Sequence, residues 1–277
     1  RRSSDLRDWL RSRGWPLLRE TADYWVSRVV RTPDGYTIRR VMTPDENAGL
    51  VDDSAWTNHV AALNLRSAAA AARILGERPR PEWERIARGL RLLTDPQTGL
   101  YLPFAGYRGR PAKQADLLLV FFPGERDVPP ERLAAHYDHY ADRVIAAGPA
   151  MTESIHAVLA ARLGRAEEAL RRFRAAYEPF ARPPFYLFSE KRTRDNVCFL
   201  TGLGGCLQAV IYGFAGIRLV DSPEPQAQPC LPPGWSALRL RGIHWRGARY
   251  DLEIVAGAPP RWRRLASRSA AGAATRR

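Results

Sequence analysis

Up to Gly216 the apolar residues of this chain recur every three to four positions; beyond it they alternate with polar ones. The first period lays an apolar stripe along helices, and the second lays an apolar face on strands. The chain is therefore expected to be mainly α, a helical array followed by a small β unit. Residues 4–30 read as helix, with Leu6, Trp9, Leu10, Leu17, Leu18, Tyr24, Trp25 and Val26 at helical spacing and Pro16 opening a second segment. TPDGYT is a turn. SAWTNHVAALNLRSAAAAARIL is a helix stopping at Gly76, with Asp52 and Asp53 as candidate N-caps. Pro81 opens PEWERIARGLRLL. Met151, Ile155, Val158, Leu159 and Leu163 form one helical face, broken by Gly164 before RAEEALRRFRAAYEPF. VCFLTGLGGCLQAVIYGFAG is apolar nearly all round, which predicts a buried helix. IRLVDS, SALRLRGIHW and RYDLEIV are short and alternating, which predicts strands. The boundaries expected are 1–215 for the helices, 216–260 for the β unit and 261–277 for an Arg/Ala-rich disordered tail.

Composition narrows the function classes. The 277 residues are 45% hydrophobic, enough for a substantial core. No stretch reaches the roughly 20 apolar residues of a membrane span, so no membrane role is expected. The net charge of +14 is nearly all Arg, spread over helix faces and the tail RWRRLASRSAAGAATRR. Without a zinc-finger or RNP-like motif it reads as a solvated surface, not a nucleic-acid site. Cys198, Cys206 and Cys230 lack zinc spacing, and Cys198 and Cys206 read as small core residues.

Three polar clusters hold candidate chemistry. In TPDENAGLVDDSAWTN, Asp45 after Pro44 suits an Asx-turn and Asp52 and Asp53 suit capping, but Glu46 has neither task. A carboxyl among apolar rings has a raised pKa, which suits a general acid; a structural role is the competing reading. Glu190, in RPPFYLFSEKRTRDNVCFLTG, follows Phe185, Tyr186 and Phe188 and lies too far from the next helix to cap it. In KQADLLLVFF, Lys113, Gln114 and Asp116 precede an apolar run; they suit sugar hydroxyls or simply a helix start.

Taken together, these residues resemble glycoside hydrolase family 65. TPDENAGLVDDSAWTN is similar to its PDE(Y/N)…V(D/N)N-x-x-(Y/F)TN signature, and KQAD to its lysine–glutamine glucose-binding motif. ADYWVSRV resembles the helix before the acid, and GLGGCLQAVIYGFAGIRL the last barrel helix. The resemblance runs from about Asp5 to Ile254. It implies part of an (α/α)6 barrel followed by a small C-terminal β-sandwich unit. It also implies that Glu46 protonates the glycosidic oxygen, that Lys113 and Gln114 hold glucose, and that no metal or organic cofactor takes part. Trp56 is a possible sugar platform, as are the aromatics at 185–188, with core packing the competing role for each.

The family holds inverting phosphorylases and inverting hydrolases. Phosphorylases grip phosphate with a serine-rich H-x-S-x-L-S type motif; the corresponding place here reads GPAMTE, and Gly148, Pro149, Ala150 and Met151 supply no hydroxyl. Glu190 resembles the glutamate with which the hydrolytic branch, the acid trehalases and the glucosylgalactosyl-hydroxylysine glucosidases, activates water. The resemblance thus implies an inverting hydrolase of an α-glucosidic bond in a small carbohydrate, with the two carboxyls roughly 6.5–9.5 Å apart. A disaccharide phosphorylase is the alternative, and a non-catalytic basic helical module the remote one. The family's W-D-x-E segment is absent and DENAG departs from the commoner DEYHE. The chain, which opens RRSSDLRDWL, is accordingly expected to be the C-terminal half of an enzyme, with an open barrel and little activity alone.

Overall fold

A computed structural model describes residues 3–193 and 195–266. The first helices are α1 (Ser3–Trp9) and α2 (Trp15–Arg28), joined without a break by a π-helical turn at Leu10–Gly14. Pro16 falls in the first turn of α2, directly after the π-helical turn, where the Trp15 N–H bonds back to the Leu10 carbonyl. A hairpin follows, β1 (Val29–Thr32) with β2 (Gly35–Ile38), turning at Pro33-Asp34 as TPDGYT predicts. The short ladder β3 (Val41–Met42) with β4 (Leu50–Val51) encloses the Glu46 loop.

α3 (Ala55–Leu75) is the long helix of the molecule's first half. Its N-cap is neither Asp52 nor Asp53 but Ser54, whose side chain accepts the Thr57 N–H. The two aspartates are engaged elsewhere: Asp52 accepts the Arg40 N–H at 2.8 Å and Asp53 an Asn58 amide hydrogen at 3.1 Å. At the other end Gly76 takes a left-handed φ of 78°. The N–H groups of Gly76 and Glu77 close back on Arg73 and Ala72, a Schellman stop. α4 (Pro81–Gly89) begins at Pro81 as expected. α2, α3 and α4 share a core built around Trp83, which meets Trp15 edge-on at 5.9 Å and donates its indole N–H to Asp23.

The second half packs around the apolar run Leu117–Phe122, α5 (Pro130–Tyr140), α6 (Glu153–Arg162) and α7 (Ala166–Tyr177). Then come the ladder β5 (Ala181–Arg182) with β6 (Leu187–Phe188), and α8 (Leu200–Gln208), continued by a π-helical turn at Ala209–Phe214. The helix buried all round is α6, from Ser154 to Ala161, not the 197–216 segment. α8 exposes Leu200 (74%), Leu203 and Leu207 and packs through its glycines instead. A Cβ on Gly202 would stand 2.3 Å from the Ala150 carbonyl, and one on Gly205 2.5 Å from Ser154 Oγ. Small residues let the backbones approach, so the side of the helix that packs is the one with the least side chain. Cys206 is buried and its thiol pushed up to about 11 by burial, whereas Cys198 is exposed and not the core residue expected.

The sheet region follows Gly216. β7 (Ile217–Arg218) pairs with β8 (Gln226–Ala227), and β9 (Ala237–Trp245), β10 (Ala248–Val255) and β11 (Arg261–Leu265) form a three-stranded antiparallel sheet in the order β11-β10-β9. Ile217, Leu252 and Ile254 bury its inner face against Ala215. β11 corrects the boundary at 261: the start of the expected tail is a strand. Two of its three arginines face carboxylates across the ladder, Arg261 opposite Glu253 and Arg263 opposite Asp251, while Trp262 turns inward onto Tyr250. The rest of the expected tail, 267–277, lies outside the described residues. Among those described, no helix is long and apolar enough to cross a membrane.

Candidate active site

Glu46 opens a single 3-10 turn, Glu46–Ala48, capped by Asp45. Asp45 makes the Asx-turn its position predicts, accepting the Asn47 N–H at 3.2 Å. It does more than turn the chain. The same Oδ1 accepts the Lys113 N–H at 2.9 Å, and Oδ2 accepts Arg110 Nη2 at 2.6 Å. Asp45 is only 3% exposed. The sequence signalled it as a turn residue; its bonds to Arg110 and Lys113 cross 65 and 68 positions and left no local trace.

Lys113 then reaches Glu46: its ammonium pairs with the Glu46 carboxylate. The Glu46 side chain is 60% exposed, so it does not sit among apolar rings as the sequence suggested. An ion pair this open contributes only about 0–1 kcal/mol. Gln114 donates its amide to the Pro44 carbonyl at 2.7 Å, a second tie between the two loops.

Beneath them lies Asp116, 5% exposed. Both its oxygens share the Thr43 hydroxyl at 2.8 Å, and Thr43 in turn accepts from Ser54 at 3.2 Å. Burial pushes the Asp116 carboxyl up to about 7, against the pull of the Thr43 and Asp45 hydrogen bonds; the charge on Asp45 adds to the rise and that on Arg110 opposes it. Asp116 precedes the short turn Leu117–Val120 without capping it, so the helix-start reading of KQAD does not describe its side chain.

The Glu190 loop is joined to this group through 144–152. Ile145 N–H donates to the Ala112 carbonyl and Ala115 N–H to Thr152 Oγ1, lacing that segment to KQAD. Gly148 packs so close that a Cβ would stand 2.5 Å from the Lys113 carbonyl. The Ala150 N–H donates to the Glu190 carbonyl at 3.0 Å. The Glu190 carboxylate takes the Asn196 side-chain amide, and its N–H donates to the Asn196 carbonyl. The Glu46 loop, KQAD, GPAMTE and the FSE loop are therefore successive neighbours.

The aromatic candidates divide. Trp56 is half-buried against the main core. Phe188 is buried and stacks on Phe180 at 6.1 Å. Phe185 is 81% exposed and Tyr186 is exposed beside it, so core packing does not account for either. Among the described residues no group of His, Cys, Asp and Glu is arranged to hold a metal ion.

Comparison with known proteins bears on the same residues. The family description "Glycosyl hydrolase family 65 central catalytic domain" matches residues 2–107, which include the whole Glu46 loop. The chain is 36% identical to the kojibiose hydrolase of Mucilaginibacter mallensis over 86% of its own length and 35% of the relative's. It is 35% identical to the protein-glucosylgalactosylhydroxylysine glucosidase of Danio rerio over 91% of its length and 39% of the relative's. The chain thus spans about a third of the length of the curated relatives it matches. The solved structure of "Putative kojibiose phosphorylase from human microbiome" superposes with a TM-score of 0.71 at 17% identity, covering 89% of this chain and 39% of that one, a likeness of fold. With the ordered motifs, the matched catalytic domain and the shared fold in agreement, the chain belongs to glycoside hydrolase family 65.

Proposed function

We propose that the protein is an inverting glycoside hydrolase of an α-glucosidic bond in a small glucosyl disaccharide, with Glu46 as general acid and Glu190 as general base. In this reading Glu46 gives its proton to the leaving oxygen as the bond to the anomeric carbon breaks. A water on the opposite face forms the new bond to that carbon and passes its proton to Glu190, releasing β-glucose. Lys113 holds the glucose, with Gln114 beside it, and the open Lys113–Glu46 pair gives way to substrate. Exposed Phe185 and Tyr186 are the aromatic faces free to stack on sugar. The helical part is read as belonging to an (α/α)6 barrel and the part after Gly216 as its small β unit.

The observation that carries the proposal is the Lys113–Glu46 contact. It unites the motif that reads as acid with the motif that reads as glucose-binding, 67 positions apart. For the phosphorylase alternative the 148–152 segment is unsuited: its one hydroxyl, Thr152, is buried and occupied by the Ala115 N–H.

The test uses the intact protein with α,α-trehalose, kojibiose and glucosyl-α-1,2-galactose, with and without phosphate, following the anomeric protons by NMR from mixing. β-Glucose is expected first, independent of phosphate. Glu46→Gln and Glu190→Gln are each expected to lower the rate by about 10²–10⁴-fold. β-Glucose 1-phosphate formed only with phosphate would make the protein a phosphorylase instead.

A further inference from the structure

Resting on the acid/base reading above, we propose that Asp45 is the positioning residue of the site, locking the Glu46 turn and the Lys113 main chain into one unit. Three donors converge on its carboxylate: Asn47 N–H from the acid's own turn, Lys113 N–H from KQAD, and the Arg110 guanidinium. Two other bonds join the loops, Gln114 Nε2 to the Pro44 carbonyl and the Asp45 N–H to Asp116, but neither holds the Lys113 main chain. The side-chain pair between Glu46 and Lys113 is too open to fix either partner, so their mutual placement falls to the buried group one residue before the acid. A buried ion pair is weak evidence for stability, because desolvation offsets the Coulomb gain; what it supplies is a fixed geometry. Asp116 backs the arrangement from below through the Asp45 N–H.

The experiment separates placement of a proton donor from general damage. Fluoride leaves α-glucosyl fluoride as an anion without needing a proton, whereas a disaccharide's leaving oxygen needs one. In the intact protein Glu46→Gln should lose disaccharide turnover and keep fluoride turnover. Asp45→Ala should copy that split: disaccharide kcat falls by about a hundredfold or more, the loss a displacement of about 1 Å produces. Its fluoride kcat stays within about tenfold, and KM rises for both substrates because Lys113 moves too. Asp45→Asn keeps the Oδ1 acceptor for both N–H groups but puts an amide donor where Oδ2 accepted from Arg110, so only the Arg110 contact is given up. It should fold even where Asp45→Ala does not, and show the same split in weaker form.

Equal losses on both substrates in folded Asp45→Asn, or an unchanged disaccharide kcat in folded Asp45→Ala, would overturn the inference. A wild-type protein that turns over neither substrate, or a Glu46→Gln variant that turns over both normally, would instead remove the acid/base reading and this inference with it.

Discussion

The Glu46 loop is organised around a buried anion, and the Glu190 loop around a cation nearer the surface. In the first, Asp45 gathers N–H donors from its own turn and from more than 60 positions away. In the second, Arg182 gathers acceptors: the carbonyls of Pro179 and Arg192 at 2.9 and 2.8 Å, and the exposed Asp195 carboxylate at 2.8 Å. Arg182's partners are all within 13 residues, so it stiffens a local excursion without joining it to another part of the chain. Asp45 does the reverse. A buried carboxylate deprived of water must find donors wherever the fold brings them, and so becomes a junction. An accessible guanidinium shares its load with solvent, and losing it costs less.

The comparison can be broken most forcefully at Asp116, which backs the Glu46 loop and has no described counterpart in the Glu190 loop. Its folded carboxyl sits at about 7, above the ordinary 3.8, so the folded state holds the proton more tightly. Its contribution to stability is fully present below the unfolded value and is lost as pH rises through about 7. Between pH 4 and pH 8 that loss is about 4 kcal/mol at about 1.4 per unit. Asp116→Asn should flatten the pH dependence of urea unfolding over this range, and parallel curves for the two proteins would remove Asp116 as its source. Arg182→Ala comes next. It should lower disaccharide kcat by about tenfold, about 1.4 kcal/mol, with little change in KM, since Lys113 is untouched. A loss as large as that of Asp45→Ala would show that the two clamps are equivalent after all. Ser54→Ala is the mildest. It removes the α3 cap and the hydrogen bond to Thr43, and should cost about 1 kcal/mol in thermal unfolding while leaving kcat nearly intact. A matching fall in kcat would extend the positioning network to the start of α3.

The candidate site was legible in the sequence to the extent that its proposed residues stand in ordered motifs: Glu46, Lys113, Gln114 and Glu190 all fall on loops that the fold makes successive neighbours. Their surroundings were not legible. Glu46 among Trp and Asn suggested an apolar setting, yet the side chain is open and paired. Asp52 and Asp53 looked like caps because either is a good cap chemically; Ser54 won the place because the aspartates were drawn to Arg40 and Asn58. Composition misread β11, since an Arg-rich segment reads as disordered only when its charges lack partners, and here a neighbouring strand supplies them.

By itself the sequence determined the period of each segment, the change from helix to strand near Gly216, the turn at Pro33-Asp34 and the stop at Gly76. These depend on backbone geometry within a few residues. Only the tertiary structure decided that α6 and not the glycine-rich α8 is buried all round, and that Asp45, read as a turn residue, binds together segments far apart in the chain. Which face is covered, and which donors reach a buried carboxylate, depend on residues that meet only after the chain has folded.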